Sequence, residues 1–197
     1  MTICIFPGTF NPIHEAHLRM AEFAVNYYKF EKIIFIPAYV PPHKEINSNL
    51  ARHRFNMVKL AIEKNPKFSI SDIEYRSDKK SYSLITVKEI IKQYNIKGKL
   101  NFLIGTDAFD KIESWYKADE LKDLVHFIVF PRGVEISEKD GFDYEIAPLN
   151  FLDISSTNIR KDHNSNIEQV KDYIEKNDLY ICCLLYTSPS PRDRSVS

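Results

Sequence analysis

Short, almost unbroken apolar runs alternate along this chain with stretches whose apolar positions recur every three or four residues. The runs at 3–6, 32–37, 99–105 and 125–131 read as buried strands, and the alternating stretch 68–73 reads as another. A last strand is expected within 144–149. Helical spacing marks 18–25, 51–64, 83–94 and 119–124, and further helices are expected near Ser156 and over 167–176. Strands that are apolar on both sides need cover on both sides. The pattern therefore predicts an α/β fold: a doubly wound, mostly parallel sheet with helices on both faces. Ligands of such sheets bind beyond the carboxyl ends of the strands, near the point where strand order switches. The chemically loaded stretches do follow strands: Gly8 to His17, Pro41 to Lys44, and Gly105-Thr-Asp107.

One domain is expected over 1–180, with no internal repeat. The segment 181–197 differs in character. Its last part has low hydrophobicity and two Ser-Pro units, which predicts a disordered or non-native tail. The chain has 197 residues, enough for one real core, with 27 basic and 27 acidic residues and a formal net charge of zero. That balance offers no electrostatic case for nucleic acid or an anionic membrane surface, so any phosphate binding must be local. Three cysteines, Cys4, Cys182 and Cys183, make no disulfide framework. The opening apolar run is too short for a signal peptide, and no stretch is long enough to span a bilayer. A cytoplasmic protein is expected.

The stretch Phe6-Pro-Gly-Thr-Phe-Asn-Pro-Ile-His-Glu-Ala-His17 joins the first strand to the first helix. Gly8 leaves room for another group to approach the backbone. A helix start offers amide N–H groups and the positive end of a dipole, a ready anion site. His14 and His17 stand three apart, on one face of that first turn. A zinc helix needs histidines four apart, so a metal site is not expected there. A capping or packing histidine is the plain alternative for either ring alone. A pair beside this turn favours ligand contact.

A second motif, Ile154-Ser-Ser-Thr-Asn-Ile-Arg160, combines hydroxyls at an expected helix start with a guanidinium that can bind two phosphate oxygens. A helix cap and a surface arginine remain the simpler alternative. Lys44 on the proline-stiffened Pro41-Pro-His-Lys44 loop reads, by residue type alone, as a solvated lysine. Trp115, the only tryptophan, reads as core or as a ring that stacks on a flat ligand. Asp107 can accept from ribose hydroxyls or be a plain surface acid.

Together these motifs resemble the HxGH nucleotidyltransferase superfamily, a Rossmann-like group. The first motif carries its Gly-Thr-Phe-Asn-Pro-Ile-His-x-x-His signature, with Ala16 where the family usually has glycine. The ending Ile-Ser-Ser-Thr-x-Ile-Arg160 is similar to that of the adenylyltransferases. It differs from that of the cytidylyltransferases, in which the arginine comes first. Pro41-Pro-His-Lys44, Arg52-x-Arg54 with Met57, Ser81-Tyr-Ser83, Trp115-Tyr116 and the closing Val170-x-x-Tyr-Ile-x-x-x-x-Leu-Tyr180 resemble bacterial nicotinate-mononucleotide adenylyltransferases over 1–180. Ile85 stands where that family has an acid.

The resemblance implies adenylyl transfer from ATP, with magnesium, to nicotinate mononucleotide, giving deamido-NAD and pyrophosphate. It implies a catalytic set of His14, His17, Lys44 and Arg160. The implied ATP site comprises Gly8, Thr9, Phe10, His14, His17, Gly105, Asp107, Ile154, Ser155, Ser156, Thr157 and Arg160. Lys44, Tyr82, Ser83 and Trp115 would hold the mononucleotide, with Trp115 on the nicotinate ring and the Tyr82–Ser83 amides on its carboxylate. A homo-oligomer is compatible with it. The alternatives are transfer to nicotinamide mononucleotide or another phosphate acceptor, a nucleotide-binding homologue with impaired catalysis, and, more distantly, a metal-dependent hydrolase. Pantetheine-phosphate adenylyltransferases are shorter and lack Pro-Pro-His-Lys and Trp-Tyr.

Overall fold

A computed structural model describes residues 2–40, 50–76, 80–131, 137–149 and 166–180. Six strands form one sheet: β1 (Ile3–Gly8), β2 (Lys32–Pro37), β3 (Phe68–Ile70), β4 (Leu100–Gly105), β5 (Val125–Phe130) and β6 (Tyr144–Ile146). Their order is β3-β2-β1-β4-β5-β6, and every pairing is parallel. Among the described residues the expected mostly parallel sheet is wholly parallel. The chain winds outward from β1 through β2 to β3, then crosses back to β4 and winds the other way. Strand order therefore switches between β1 and β4.

Alternate residues of each central strand feed two cores, as the period of two requires. Cys4, Phe6, Ile33, Phe35, Leu103, Ile128 and Phe130 face one side. There they meet Met20, Ala21 and Ala24 of α1 (Glu15–Tyr27), Met57, Val58 and Ile62 of α2 (Ala51–Ile62), and Val170 and Ile174 of α6 (Glu168–Lys176). Ile3, Ile5, Ile34, Ile36, Phe102, Ile104, Phe127 and Val129 face the other side. They pack on Leu84, Val87 and Ile90 of α3 (Ser83–Tyr94) and, through Phe109 and Leu121, on α4 (Thr106–Phe109) and α5 (Ala118–Leu124). Cys4 is a fully buried free thiol, and burial pushes its pKa well up, so it serves as a small apolar side chain.

Several elements differ from the pattern-based expectation. The alternation at 68–73 yields only the three-residue β3, because Ile73–Tyr75 turns into a single 3₁₀ turn that buries Ile73. The last strand is also three residues long. The one-turn α4 directly after β4 carries no helical period and was not expected. The expected helix near Ser156 and the tail 181–197 lie outside the described residues. Among the described residues, no helix is long and apolar enough to cross a membrane.

Candidate active site at the sheet switch point

The turn between β1 and α1 is built around two imidazoles. His14 is the extended N-cap of α1, with φ −146° and ψ 172°, and His17 is the third helical residue. They are therefore not on one regular helical face, yet their rings lie 3.8 Å apart, tilted by 34°. The His14 backbone N–H donates to His17 Nδ1 at 3.2 Å, and the His17 N–H donates to the His14 carbonyl at 2.9 Å. An accepting Nδ1 carries no proton, so a neutral His17 carries its N–H on Nε2.

Phe10 fixes the rings from beneath. It adopts φ 45° and is 2 % exposed. Its ring meets His17 edge-on at 5.0 Å, Phe6 at 5.4 Å and Phe35 at 5.8 Å. The sequence reading left room over Gly8 for an approaching group, and the group found there is the Phe10 ring. A Cβ on Gly8 would sit 2.8 Å from Phe10 Cζ and 3.0 Å and 3.1 Å from its Cε atoms. Because that ring is boxed in by aromatic neighbours, Gly8→Ala is expected to cost about 1–3 kcal/mol of stability. Denaturant unfolding checks this, and a change within about 0.5 kcal/mol would contradict it.

Ala16, where the family usually has glycine, is buried in the first turn of α1, so its methyl covers no open surface. Gly105 ends β4 and caps α4, beside β1 across the Cys4–Asn101 and Ile5–Phe102 pairings. The buried Thr106 hydroxyl donates to the Phe130 carbonyl at 2.9 Å, while the adjacent Asp107 is exposed in the first turn of α4. The strand switch thus brings Gly8, Thr9, His14, His17, Gly105 and Asp107 to one end of the sheet.

A second group gathers at the start of α3. Tyr82 is its extended N-cap and Ser83 its first residue; the Tyr82 amide donates to the Lys80 carbonyl at 3.1 Å, so the amides that the helix start presents begin at Ser83. Such a start favours an anion. Ile85, standing where the family has an acid, is exposed in that turn, and the acid that reaches this helix start is Glu74, whose Oε1 accepts from Thr86 Oγ1 at 2.7 Å. The Tyr82 and Tyr116 rings lie 4.5 Å apart, joining α3 to the Trp115–Tyr116 segment. Trp115 is half-buried, with one side toward Phe102 at 6.2 Å. Lys44, Ile154, Ser155, Ser156, Thr157 and Arg160 lie outside the described residues.

Sequence reasoning assigned no task to Arg54, Ser81 or Tyr180. The Arg54 guanidinium, fully buried, donates to the carbonyls of Thr9 at 2.7 Å, Ala38 at 2.6 Å and Tyr39 at 3.0 Å. Ser81 Oγ accepts from the Tyr39 and Val40 amides at 3.0 Å and 3.3 Å. Tyr180 Oη donates to Asn11 Oδ1 at 2.7 Å, tying the last described residue to the first motif. The available signal for these three residues was their place in the motifs Arg52-x-Arg54, Ser81-Tyr-Ser83 and Leu-Tyr180 that carry the family resemblance.

A Rossmann-like parallel sheet with paired imidazoles at its first strand–helix turn is the build of a nucleotidyltransferase. The chain belongs to the cytidylyltransferase-like family, whose model matches residues 5–162. Its curated relatives include the nicotinate-nucleotide adenylyltransferase of Bacillus subtilis, 38% identical over 192 residues, covering 90% of this chain and 97% of that one. The probable nicotinate-nucleotide adenylyltransferase of Caldicellulosiruptor saccharolyticus is 36% identical over 201 residues, covering 91% and 99%. Among solved structures, Plasmodium falciparum nicotinic acid mononucleotide adenylyltransferase complexed with NaAD matches with a TM-score of 0.75 at 23% identity, covering 90% of this chain and 96% of that one. At that identity the likeness speaks for the fold.

Proposed function

We infer that this chain transfers the adenylyl group of ATP to nicotinate mononucleotide, forming deamido-NAD and pyrophosphate in NAD biosynthesis. One observation carries this: a chain with touching imidazoles at the β1–α1 turn is collinear with nicotinate-nucleotide adenylyltransferases over about nine-tenths of its length. A phosphate oxygen of the mononucleotide attacks the ATP α-phosphorus in line, and the bond to the β-phosphate oxygen breaks to release pyrophosphate. Positioning and charge neutralisation supply the catalysis, and no covalent intermediate is needed.

His14 and His17 face the phosphates, with His17 donating through Nε2. Lys44, Ser156, Thr157 and Arg160 hold the rest of the triphosphate, while Gly105 and Asp107 take the adenosine side. Trp115 stacks on the nicotinate ring. The backbone amides of the α3 start, from Ser83 on, take the nicotinate carboxylate, the Tyr82 amide being given to the Lys80 carbonyl. The N-terminus of α3 supports carboxylate over carboxamide, because a helix start attracts the charged group more strongly than the neutral one. Magnesium, when bound with ATP, neutralises charge on the phosphate oxygens. It would be held largely by substrate and water rather than by a protein cage. A cytoplasmic location fits this chemistry.

A pyrophosphate-release assay with ATP, magnesium and either mononucleotide tests the reading. Turnover with nicotinate mononucleotide, exceeding that with nicotinamide mononucleotide by at least about tenfold in kcat/KM, is expected. ATP binding with no pyrophosphate release would overturn it in favour of a nucleotide-binding protein.

A further inference from the structure

We propose that Arg54 is a positioning residue that holds the nucleotide turn and the mononucleotide side of the site in register. The proposal rests on the adenylyl-transfer reading. Arg54 projects from α2, and its fork spans two loops that leave neighbouring strands. One nitrogen, Nη1, bridges Thr9 after β1 and Ala38 after β2, and Nη2 takes Tyr39. These are the backbones between which the two substrates must be aligned. Thr9 opens the turn that presents His14 and His17. Tyr39 and Val40 lead to the Pro41-Pro-His-Lys44 stretch.

From Tyr39 the linkage continues to the start of α3. Ser81 Oγ accepts both the Tyr39 and the Val40 amides, and the Ser81 amide donates to the Val40 carbonyl at 3.0 Å. Tyr82 and Ser83 follow directly. One buried cation thereby joins the phosphate-facing turn, the loop after β2 and the helix start assigned to the nicotinate carboxylate.

The surroundings are built for a fixed charge. Glu74, in the 3₁₀ turn Ile73–Tyr75, lies within electrostatic reach and accepts from Thr86 Oγ1 at 2.7 Å. Burial pushes the Glu74 carboxyl up, and the hydroxyls of Ser81 and Thr86 and the charge of Arg54 act against that shift. Burial also draws Arg54 downward, although a guanidinium stays protonated. Removing water from a cation costs several kcal/mol unless its donors are used; three bonds to carbonyls use Nη1 and Nη2, while Nε is buried with no partner among the described residues. A lysine has the charge without the planar fork, and its single nitrogen cannot reproduce contacts made from two nitrogens to three oxygens on two loops.

Arg54 is assigned no substrate contact, so its removal should spare ATP binding and degrade alignment. In-line transfer is sensitive to misplacement of about 1 Å. The test combines steady-state kinetics on ATP and nicotinate mononucleotide with calorimetric titration of a non-hydrolysable ATP analogue. The titration stoichiometry counts folded sites. For Arg54→Lys the expected result is a dissociation constant for the analogue within about threefold of wild type and kcat per folded site lowered at least about tenfold. Ser81→Ala, which cuts the far end of the same linkage, should give the same split at smaller size. The proposal is overturned if kcat per folded site stays within about twofold of wild type, or if lost activity only tracks lost stoichiometry. Should Arg54→Lys fail to fold, Ser81→Ala decides by the same criterion. A wild-type chain with no turnover would defeat the functional reading and this proposal with it, whereas an active wild type with unaltered variants defeats only the proposal.

Discussion

Replacing His17 with alanine is expected to lower kcat at least about thirtyfold, roughly 2 kcal/mol of transition-state stabilisation, with a smaller change in the KM for ATP. The reason lies in how the ring is fixed. Its Nδ1 accepts from the His14 amide, so the N–H of the neutral ring is on Nε2. Its plane is set by the His14 ring at 3.8 Å, by the edge-on contact with Phe10 at 5.0 Å and by the tilted Phe6 ring at 5.9 Å. A donor held in place before the reaction needs no reorganisation as charge moves onto the leaving pyrophosphate. Because that charge grows in the transition state, the loss should fall on kcat more than on ground-state binding. Single-turnover kinetics at saturating ATP measures the effect, and an unchanged rate would refute the role.

Phe10→Ala is expected to be the costlier change for stability, about 3–5 kcal/mol. The ring is 2 % exposed and lies between Phe6, Phe35 and His17, so its loss opens a cavity in a close-packed region. Phe10 also sits at φ 45°, a conformation that costs a side-chain-bearing residue of order 1–3 kcal/mol. Alanine keeps that strain and gives up the burial that offsets it. The variant should also lose turnover per folded site, since His17 rests on the missing edge. Urea unfolding gives the first quantity and the folded-site assay the second. Unfolding free energy within about 0.5 kcal/mol of wild type would contradict the assignment.

Much of the scaffold was legible because it follows local rules. The four central strands are continuous apolar runs, and such runs can only be buried on two faces, which demands a layered parallel sheet. The imidazole pair was legible because a strand, a glycine and a helix start occur within a dozen residues. The parts that were not legible depend on tertiary structure or on rare backbone states. No local rule places a phenylalanine at positive φ, so the ring over Gly8 was not foreseen. Arg54 finds its partners 15, 16 and 45 residues away, distances over which periodicity carries no information. The Asn11–Tyr180 bond spans 169 residues. At 68–73 the alternation reads as a strand throughout, but burial of Ile73 is equally served by one turn of 3₁₀ helix, and the fold uses that.

The resemblance supplied what residue types alone left open. Lys44 would otherwise count as a solvated lysine and Trp115 as core. Departures at Ala16 and Ile85 fall at a buried methyl and on an exposed helix face.

The account depends on one triphosphate being held from two directions, by the histidines of the β1–α1 turn and by the hydroxyl and guanidinium groups of the 154–160 segment. A crystal structure of the chain with a non-hydrolysable ATP analogue measures this directly. It should show phosphate oxygens within about 3.2 Å of His17 Nε2 and, on the same triphosphate, of the Arg160 guanidinium. A triphosphate bound elsewhere, or an Arg160 turned to the far side of the sheet from both imidazoles, would contradict the account.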